Sequence, residues 1–318
     1  MTTNSLKDKV CLITGATSGI GLETAIALAN MGATVIVGGR DLERASNAVI
    51  KIRTASNNPN VDFLLADLSD FVEVKRFAEE FKQQYKRLDV LVNNAGAIFK
   101  EYDENPQGVE MTMALNLFSI YLLTGSLLDV LQHSAPSRII NVSSMVHKLG
   151  KNEFDGFNDE SSYKALNSYA LSKLGLLHFN TILSEKLQGT GITSNAMHPG
   201  WVKSNFGSGF YTGFYGFLDT IFKPVQISSQ KGAETIVYLA SSPDVEQISG
   251  KYFVKNKAIP SSSASYNTSS SDYVWELCRQ QTGFQYNFQE KPVDMGKKVE
   301  DSKDAKTKKT DDDKPSDI

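Results

Sequence analysis

Apolar and polar positions fall into blocks along most of the chain. The run Val10 to Thr14 predicts a buried strand. Gly19 to Ala29 predicts a helix, with Gly32 just past its end. "ATVIVGG" reads as a second strand. Asp41 to about Thr54 reads as a second helix, with Asp41 as its N-cap. "VDFLLADLS" is a third strand ending in Asp67. In "FVEVKRFAEEFKQQY", Phe71, Val74, Phe77 and Phe81 share a helical face. "LDVLVNNAG" is the fourth strand. A long helix is expected from about Val109 to Leu131, then "SRIINVSS" as the fifth strand. "LNSYALSKLGLLHFNTILSEKL" predicts another long helix, "ITSNAMHPG" a sixth strand, "KGAETIVYLA" a helix and "GKYFV" an edge strand. Apolar strands separated by helices predict an α/β fold: a doubly wound, mostly parallel sheet with helices on both faces. Such a sheet binds ligands at the carboxyl ends of its strands.

The first strand meets the second element through "TGATSGIG", with glycines at 15, 19 and 21. Gly15 suits a sharp turn, Gly19 leaves room for a pyrophosphate, and Gly21 allows close packing of helix on sheet. Phosphates would then sit on free N–H groups at a helix N-terminus. The cluster lacks the lysine that grips a terminal phosphate, which favours a dinucleotide over a nucleoside triphosphate. The second strand ends in "GGRD". Where NAD would meet an acidic residue, Arg40 stands ready to pair with a 2′-phosphate, and Gly38 and Gly39 leave space for it. This points to NADP(H). The alternative for Arg40 is a surface arginine beside a helix start. Asp67 is placed to accept from the adenine amino group, and Asn93 to Gly96 end the fourth strand beside the same crevice.

Composition narrows the classes. The chain has 318 residues, 41 % apolar, and a formal net charge of -3, so no basic balance argues for nucleic acid. Two cysteines, Cys11 in an apolar run and Cys278, make a disulfide framework unexpected. "MTTNSLKDKV" carries no hydrophobic segment and no apolar run is long enough to span a bilayer; a cytoplasmic location is expected. Residues 285–318 read as a disordered charged tail, solubilising rather than docking, after a single domain over residues 1–284.

The chemistry is carried by "YALSK". Tyr169 and Lys173, four apart, share a helix face. A lysine ammonium near a phenol stabilises the phenolate, which would make Tyr169 a proton donor to a carbonyl oxygen or an acceptor from an alcohol. Ser144, at the end of the fifth strand, can donate to the substrate oxygen. Asn116, unfavourable in mid-helix, would hold a water near Lys173 or simply pack. The four histidines His133, His147, His178 and His198 have no mutual ligand spacing, so no metal site is expected.

Taken together, these residues resemble the short-chain dehydrogenase/reductase family. The matching set is Thr14-Gly15-x-x-x-Gly19-Ile20-Gly21, Asp67, Asn93-Asn94-Ala95-Gly96, Asn116, Ser144, Tyr169-x-x-x-Lys173 and Pro199-Gly200. The resemblance implies a Rossmann fold and a catalytic tetrad of Asn116, Ser144, Tyr169 and Lys173. It implies cofactor contacts at Gly15, Thr17, Ser18, Gly19, Ile20, Gly21, Arg40, Asp67, Leu68, Asn94, Ala95, Gly96, Tyr169, Lys173, Pro199, Gly200, Val202 and Ser204. The long spacing from Ser144 to Tyr169, with "NVSSMVHKLG", "HPGWVKSN", "SGKYF" and "DYVWELCRQQTG", is similar to the retinol dehydrogenase-like branch, whose members usually prefer NADP(H). Two departures are Trp201 after the Pro-Gly and no N-terminal membrane segment of the kind many retinol dehydrogenases carry.

The aromatic and glycine-rich stretch over residues 201–228 is expected to form a lid over an apolar carbonyl or alcohol substrate, with peripheral membrane or lipid-droplet contact as the alternative. The function expected is NADP(H)-dependent hydride transfer to or from a retinal-like compound, aldehyde or ketone. The alternatives are a steroid or lipid-ketone oxidoreductase and a non-catalytic cofactor-binding scaffold. Dimers of the family often pair the helices carrying Asn116 and Tyr169; here the insert before Tyr169 leaves homodimer and monomer both open.

Overall fold

Eight strands form one sheet in the order β3-β2-β1-β4-β5-β6-β7-β8. They are β1 Val10–Thr14, β2 Thr34–Gly39, β3 Val61–Leu65, β4 Val90–Asn93, β5 Ser137–Val142, β6 Ile192–His198, β7 Tyr252–Val254 and β8 Lys257–Ile259. All pairs are parallel except β7 with β8. The computed structural model describes residues 5–201 and 227–288. The expected lid, with Val202 and Ser204, lies outside the described residues except at its ends, as does the charged tail from residue 289.

Helices cover both faces, and their sequence periodicity says which. Helices α1 (Gly19–Asn30), α2 (Leu42–Ser56) and α8 (Ser229–Ser241) close one core around Cys11, Ile13, Val35, Val37, Val92 and Ile140. On the other face α3 (Phe71–Gln84), α5 (Ser119–Ser126) and α7 (Ala165–Lys186) pack on Leu12, Ile36, Leu91 and Ile139. The strand residues alternate between the two cores, so β1 is buried along its whole length. Phe71, Val74, Phe77 and Phe81 are the buried stripe of α3. Asp41 caps α2 by accepting from Arg44 N–H at 2.8 Å, as its position before the apolar run requires.

Three expectations are corrected. The long helix of residues 109–131 is broken into α4 (Met111–Met113), a π-helical turn (Ala114–Phe118), α5 and α6 (Leu128–His133). "GKYFV" is not the edge: β8 pairs outside it, after a turn in which Lys255 (φ 50°) and Asn256 (φ 63°) are both left-handed. Ordered packing also runs past residue 284. The C-terminal helix α9 (Thr268–Thr282) lies on α7, and Tyr286 beyond it is buried in the core.

That C-terminal segment closes over α5 and α7 as an aromatic cluster. Trp275 stacks on Phe179 at 5.9 Å and meets Tyr121 edge-on at 5.2 Å. Tyr286 donates from its hydroxyl to Tyr121 O at 2.7 Å, and Tyr121 donates to Phe284 O at 3.2 Å. Lys186 Nζ sits 5.4 Å above the Trp275 ring.

Candidate active site

The glycine turn is built for close approach. Gly15 has φ +66°, donates to Gly38 O at 2.8 Å, and a Cβ there would lie 2.9 Å from Ala95 Cα. A Cβ on Gly21 would lie 2.6 Å from Asn94 Nδ2 and from Gly15 O. Gly19 is the exception: at φ +58° its Cβ position meets nothing within 4 Å. One glycine of the three therefore faces open space, at the first turn of α1. Ser18 is the N-cap residue there, yet its side chain makes no capping bond. The free N–H groups and the cleared volume fit the pyrophosphate of a nicotinamide dinucleotide.

The neighbouring strand end braces this turn. Thr14 Oγ1 accepts from Asn94 N–H and Ala95 N–H, each at 3.0 Å, and Asn94 Nδ2 donates to Thr14 O at 2.8 Å. Thr17 packs its methyl under Gly39, where a side chain would collide at 2.7 Å. Ile20 packs on the α1 side of the core and Leu68 is buried on the other face. Asp67 accepts from Ser69 N–H and the Ser69 hydroxyl, which fixes the turn after β3. Arg40 is exposed just past β2. Arg44, one helical turn on, donates to Ser18 Oγ at 3.3 Å. Sequence reasoning passed over Arg44; its basic spacing of four from Arg40 was the available signal.

The tetrad residues come from three elements and converge. Tyr169 and Lys173 lie on α7, with Lys173 Nζ 5.8 Å from the Tyr169 ring centre. The Ser144 side chain faces the Tyr169 hydroxyl closely enough to lower its pKa. Ser144 leaves β5 and caps a short 3₁₀ turn, Met145–Leu149, its Oγ accepting from Val146 N–H at 3.2 Å. Asn116 sits in the π turn, wholly buried. The wider turn lets its amide clasp Ala97, accepting from N–H at 2.9 Å and donating to C=O at 2.8 Å. It also donates to Ser172 Oγ at 3.2 Å. Gly96 lies between: a Cβ there would be 2.9 Å from Asn116 Oδ1 and 3.4 Å from Lys173 Nζ. Gly200, at φ +96°, turns the chain away after Pro199, and a side chain there would strike Ile227.

Burial pushes the Tyr169 hydroxyl up to about 12, against a lowering by the Ser144 side chain. Burial also pulls Lys173 down to about 8, with its ammonium donating to Val142 O at 2.9 Å. At neutral pH Tyr169 is thus a protonated phenol beside a charged lysine that deprotonates near pH 8.

A fully buried carboxylate supports the pair. Glu110 accepts from Thr112 N–H at 2.7 Å, Met113 N–H at 2.9 Å and the Ser168 hydroxyl at 2.6 Å. It therefore joins the start of α4, which leads to Asn116, to the residue before Tyr169. Beneath the site an amide chain crosses the sheet: Asn93 donates to Asn141 Oδ1 at 2.9 Å, and Asn141 to Asn180 Oδ1 at 3.0 Å.

Comparison with known proteins shows the family. The family model described as short chain dehydrogenase (adh_short) matches residues 9–211. Retinol dehydrogenase 12 of Mus musculus is 37 % identical over 286 residues, 90 % of each chain. A solved protein from Mycobacterium Paratuberculosis matches with a TM-score of 0.73 at 26 % identity, covering 90 % of this chain and 97 % of that one. A metagenomic short-chain oxidoreductase solved in complex with NADP matches at TM-score 0.59 and 25 % identity, covering 79 % and 97 %. The glycine turn, the four converging side chains and these likenesses together make the chain a member of the short-chain dehydrogenase/reductase family, retinol dehydrogenase-like.

Proposed function

We propose that the protein is an NADP(H)-dependent oxidoreductase acting on the carbonyl or alcohol of an apolar, retinal-like substrate, with Tyr169 as acid–base. The observation that carries this reading is the convergence of Ser144 and Lys173 on Tyr169, with Lys173 Nζ 5.8 Å from the Tyr169 ring centre. The bound nicotinamide would supply or take up the hydride. Tyr169, protonated at neutral pH, gives its proton to the carbonyl oxygen in reduction, and Ser144 donates to the same oxygen. Lys173 returns a proton toward Tyr169, and Asn116 holds the turn beside it. In oxidation the proton moves the other way.

The turn at Gly15, Gly19 and Gly21 would hold the pyrophosphate, and Asp67 the adenine. Arg40 and Arg44 would pair with the 2′-phosphate, a charge-assisted contact of about 1.5–3 kcal/mol for each guanidinium. The NADP complex of the metagenomic relative supports the same preference, and the mouse relative's name supports a retinoid-type substrate.

Nicotinamide fluorescence with NADPH and NADH tests the cofactor. Binding of NADPH is expected to be the tighter, and Arg40→Ala and Arg44→Ala each to weaken it roughly 10- to 150-fold while leaving NADH unchanged. Equal affinities in the wild-type protein would overturn the preference. All-trans-retinal reduction by wild type against Tyr169→Phe then tests the chemistry.

A further inference from the structure

His147 lies three residues past Ser144, and its imidazole is wholly buried. Both ring nitrogens are engaged. Nδ1 meets Ser144 O at 2.5 Å, and Ser262 N–H points at Nε2 from 3.1 Å. A carbonyl oxygen only accepts and a backbone N–H only donates, so the proton sits on Nδ1 and Nε2 carries the lone pair. The ring edge packs on Tyr252 of β7 at 5.1 Å. Burial holds the imidazole below its ordinary value, with Lys148 adding to this and the Ser144 bond opposing it. The adjacent residue is held in the same way: Met145 N–H donates to His198 Nδ1 at 3.3 Å.

We propose that His147 is a positioning residue for the reaction: its Nδ1–H pins the Ser144 carbonyl and so keeps the Ser144 hydroxyl turned toward Tyr169. This rests on the reading of Ser144 and Tyr169 given above. Ser144 leaves β5 in an extended conformation, φ −147° and ψ 155°, and its side chain departs from the backbone that His147 grips. Without the imidazole, Ser144 O keeps only the His147 backbone N–H, at 3.2 Å. Val146 N–H already uses one lone pair of the Ser144 hydroxyl. Rotation of the Ser144 peptide therefore swings the hydroxyl away from the phenol rather than merely loosening the turn. Through Ser262 the same ring ties this peptide to the segment that leads into α9.

Two amide substitutions separate the two ends of the ring. His147→Asn places an NH₂ where Nδ1 stood and keeps the bond to Ser144 O. His147→Gln reaches the Nε2 position and keeps the bond from Ser262 N–H, leaving Ser144 O without its side-chain donor. Both are polar and similar in bulk. Steady-state kinetics with NADPH and all-trans-retinal, beside NADPH fluorescence titration, give the readout. His147→Gln is expected to lower kcat by roughly 30- to 100-fold, the scale of a reacting group misplaced by about 1 Å. His147→Asn is expected to recover most of that loss, and KM for NADPH to stay within about twofold in both. Equal kcat in the two variants, or Gln the more active, overturns the proposal, because the ring would then serve only the Ser262 side or the core. Loss of NADPH binding in both variants overturns it for the same reason. Absence of turnover by a wild-type protein that binds NADPH overturns instead the reading of the site, and this proposal with it.

Discussion

Tyr169 and Lys173 show one cause acting with opposite sign. Burial disfavours charge, so it raises a phenol and lowers an amine. The pH dependence follows. Lys173 is charged below about 8 and neutral above it. Carbonyl reduction is expected to hold its rate from about pH 6 to 7 and to fall as pH rises through about 8, when the ammonium that resupplies Tyr169 is lost. Lys173→Arg keeps the charge but cannot pass on a proton, so it is expected to lower the rate at every pH and to show no fall near pH 8. A rate profile with the same alkaline limb in both proteins would refute the assignment. At this scale the sequence was legible wherever a motif carries its own spacing. Tyr169 and Lys173 share one helix face, and Gly15, Gly19 and Gly21 share one turn. It was silent for Glu110, whose partner Ser168 is 58 positions away, and for His147, whose partner Ser262 is 115 away. Neither pairing has a local pattern.

Elements were legible in proportion to their periodicity. The apolar stripe of α3 named its buried face residue by residue. Three-residue β8 is exposed throughout and reads as nothing without its hairpin turn. The π turn at Ala114–Phe118 was read as plain helix because only the unusual Asn116 marks it. Helix α9 did carry signals: Asn267 caps it, accepting from Ser270 N–H at 2.9 Å, Gly283 ends it at φ 61°, and Val274, Leu277 and Cys278 are its buried positions. Its serine-rich first turn hid them. The helix matters because the cluster it brings fills the α5–α7 face with the chain's own residues. Gly125 on α5 is where that contact is tightest, since a Cβ there would meet the Phe284 ring and sit 2.8 Å from Tyr286 Cε2. Gly125→Ala is expected to cost about 1–3 kcal/mol by overpacking. A melting temperature within about 1 °C of wild type would show that the cluster yields freely.

For the whole molecule, one sheet separates two cores, and its amino end is sealed by a buried charge. Asp89 accepts from Val10 N–H at 2.9 Å and pairs with Lys9 at 2.9 Å and Arg87 at 2.6 Å. Burial alone would raise its carboxyl; the bonds from Arg87, Val10 N–H and Lys9 outweigh that and hold it below the usual range. A depressed carboxylate stabilises the fold above its unfolded value of about 3.9, and that contribution disappears as pH falls through the folded value. Asp89→Asn is expected to cost about 3 kcal/mol at pH 7, with the gap to wild type closing below about pH 4. Denaturant melts at both pH values check this; a gap independent of pH would count against it.

The clasp of Tyr121 by Phe284 and Tyr286 also sets an order on the ribosome. The glycine turn and strands β1 to β4 are synthesised within roughly the first third of the chain; β1 pairs β2 and β2 pairs β3 across short separations, while β1 waits for β4. The helix bearing Tyr169 gains its outer cover only when residues 268–288 have emerged, and the contacts of Phe284 and Tyr286 with Tyr121 span 163 and 165 positions. A nascent chain should therefore acquire its cofactor crevice well before its acid–base helix is locked, so that competence to bind precedes competence to react.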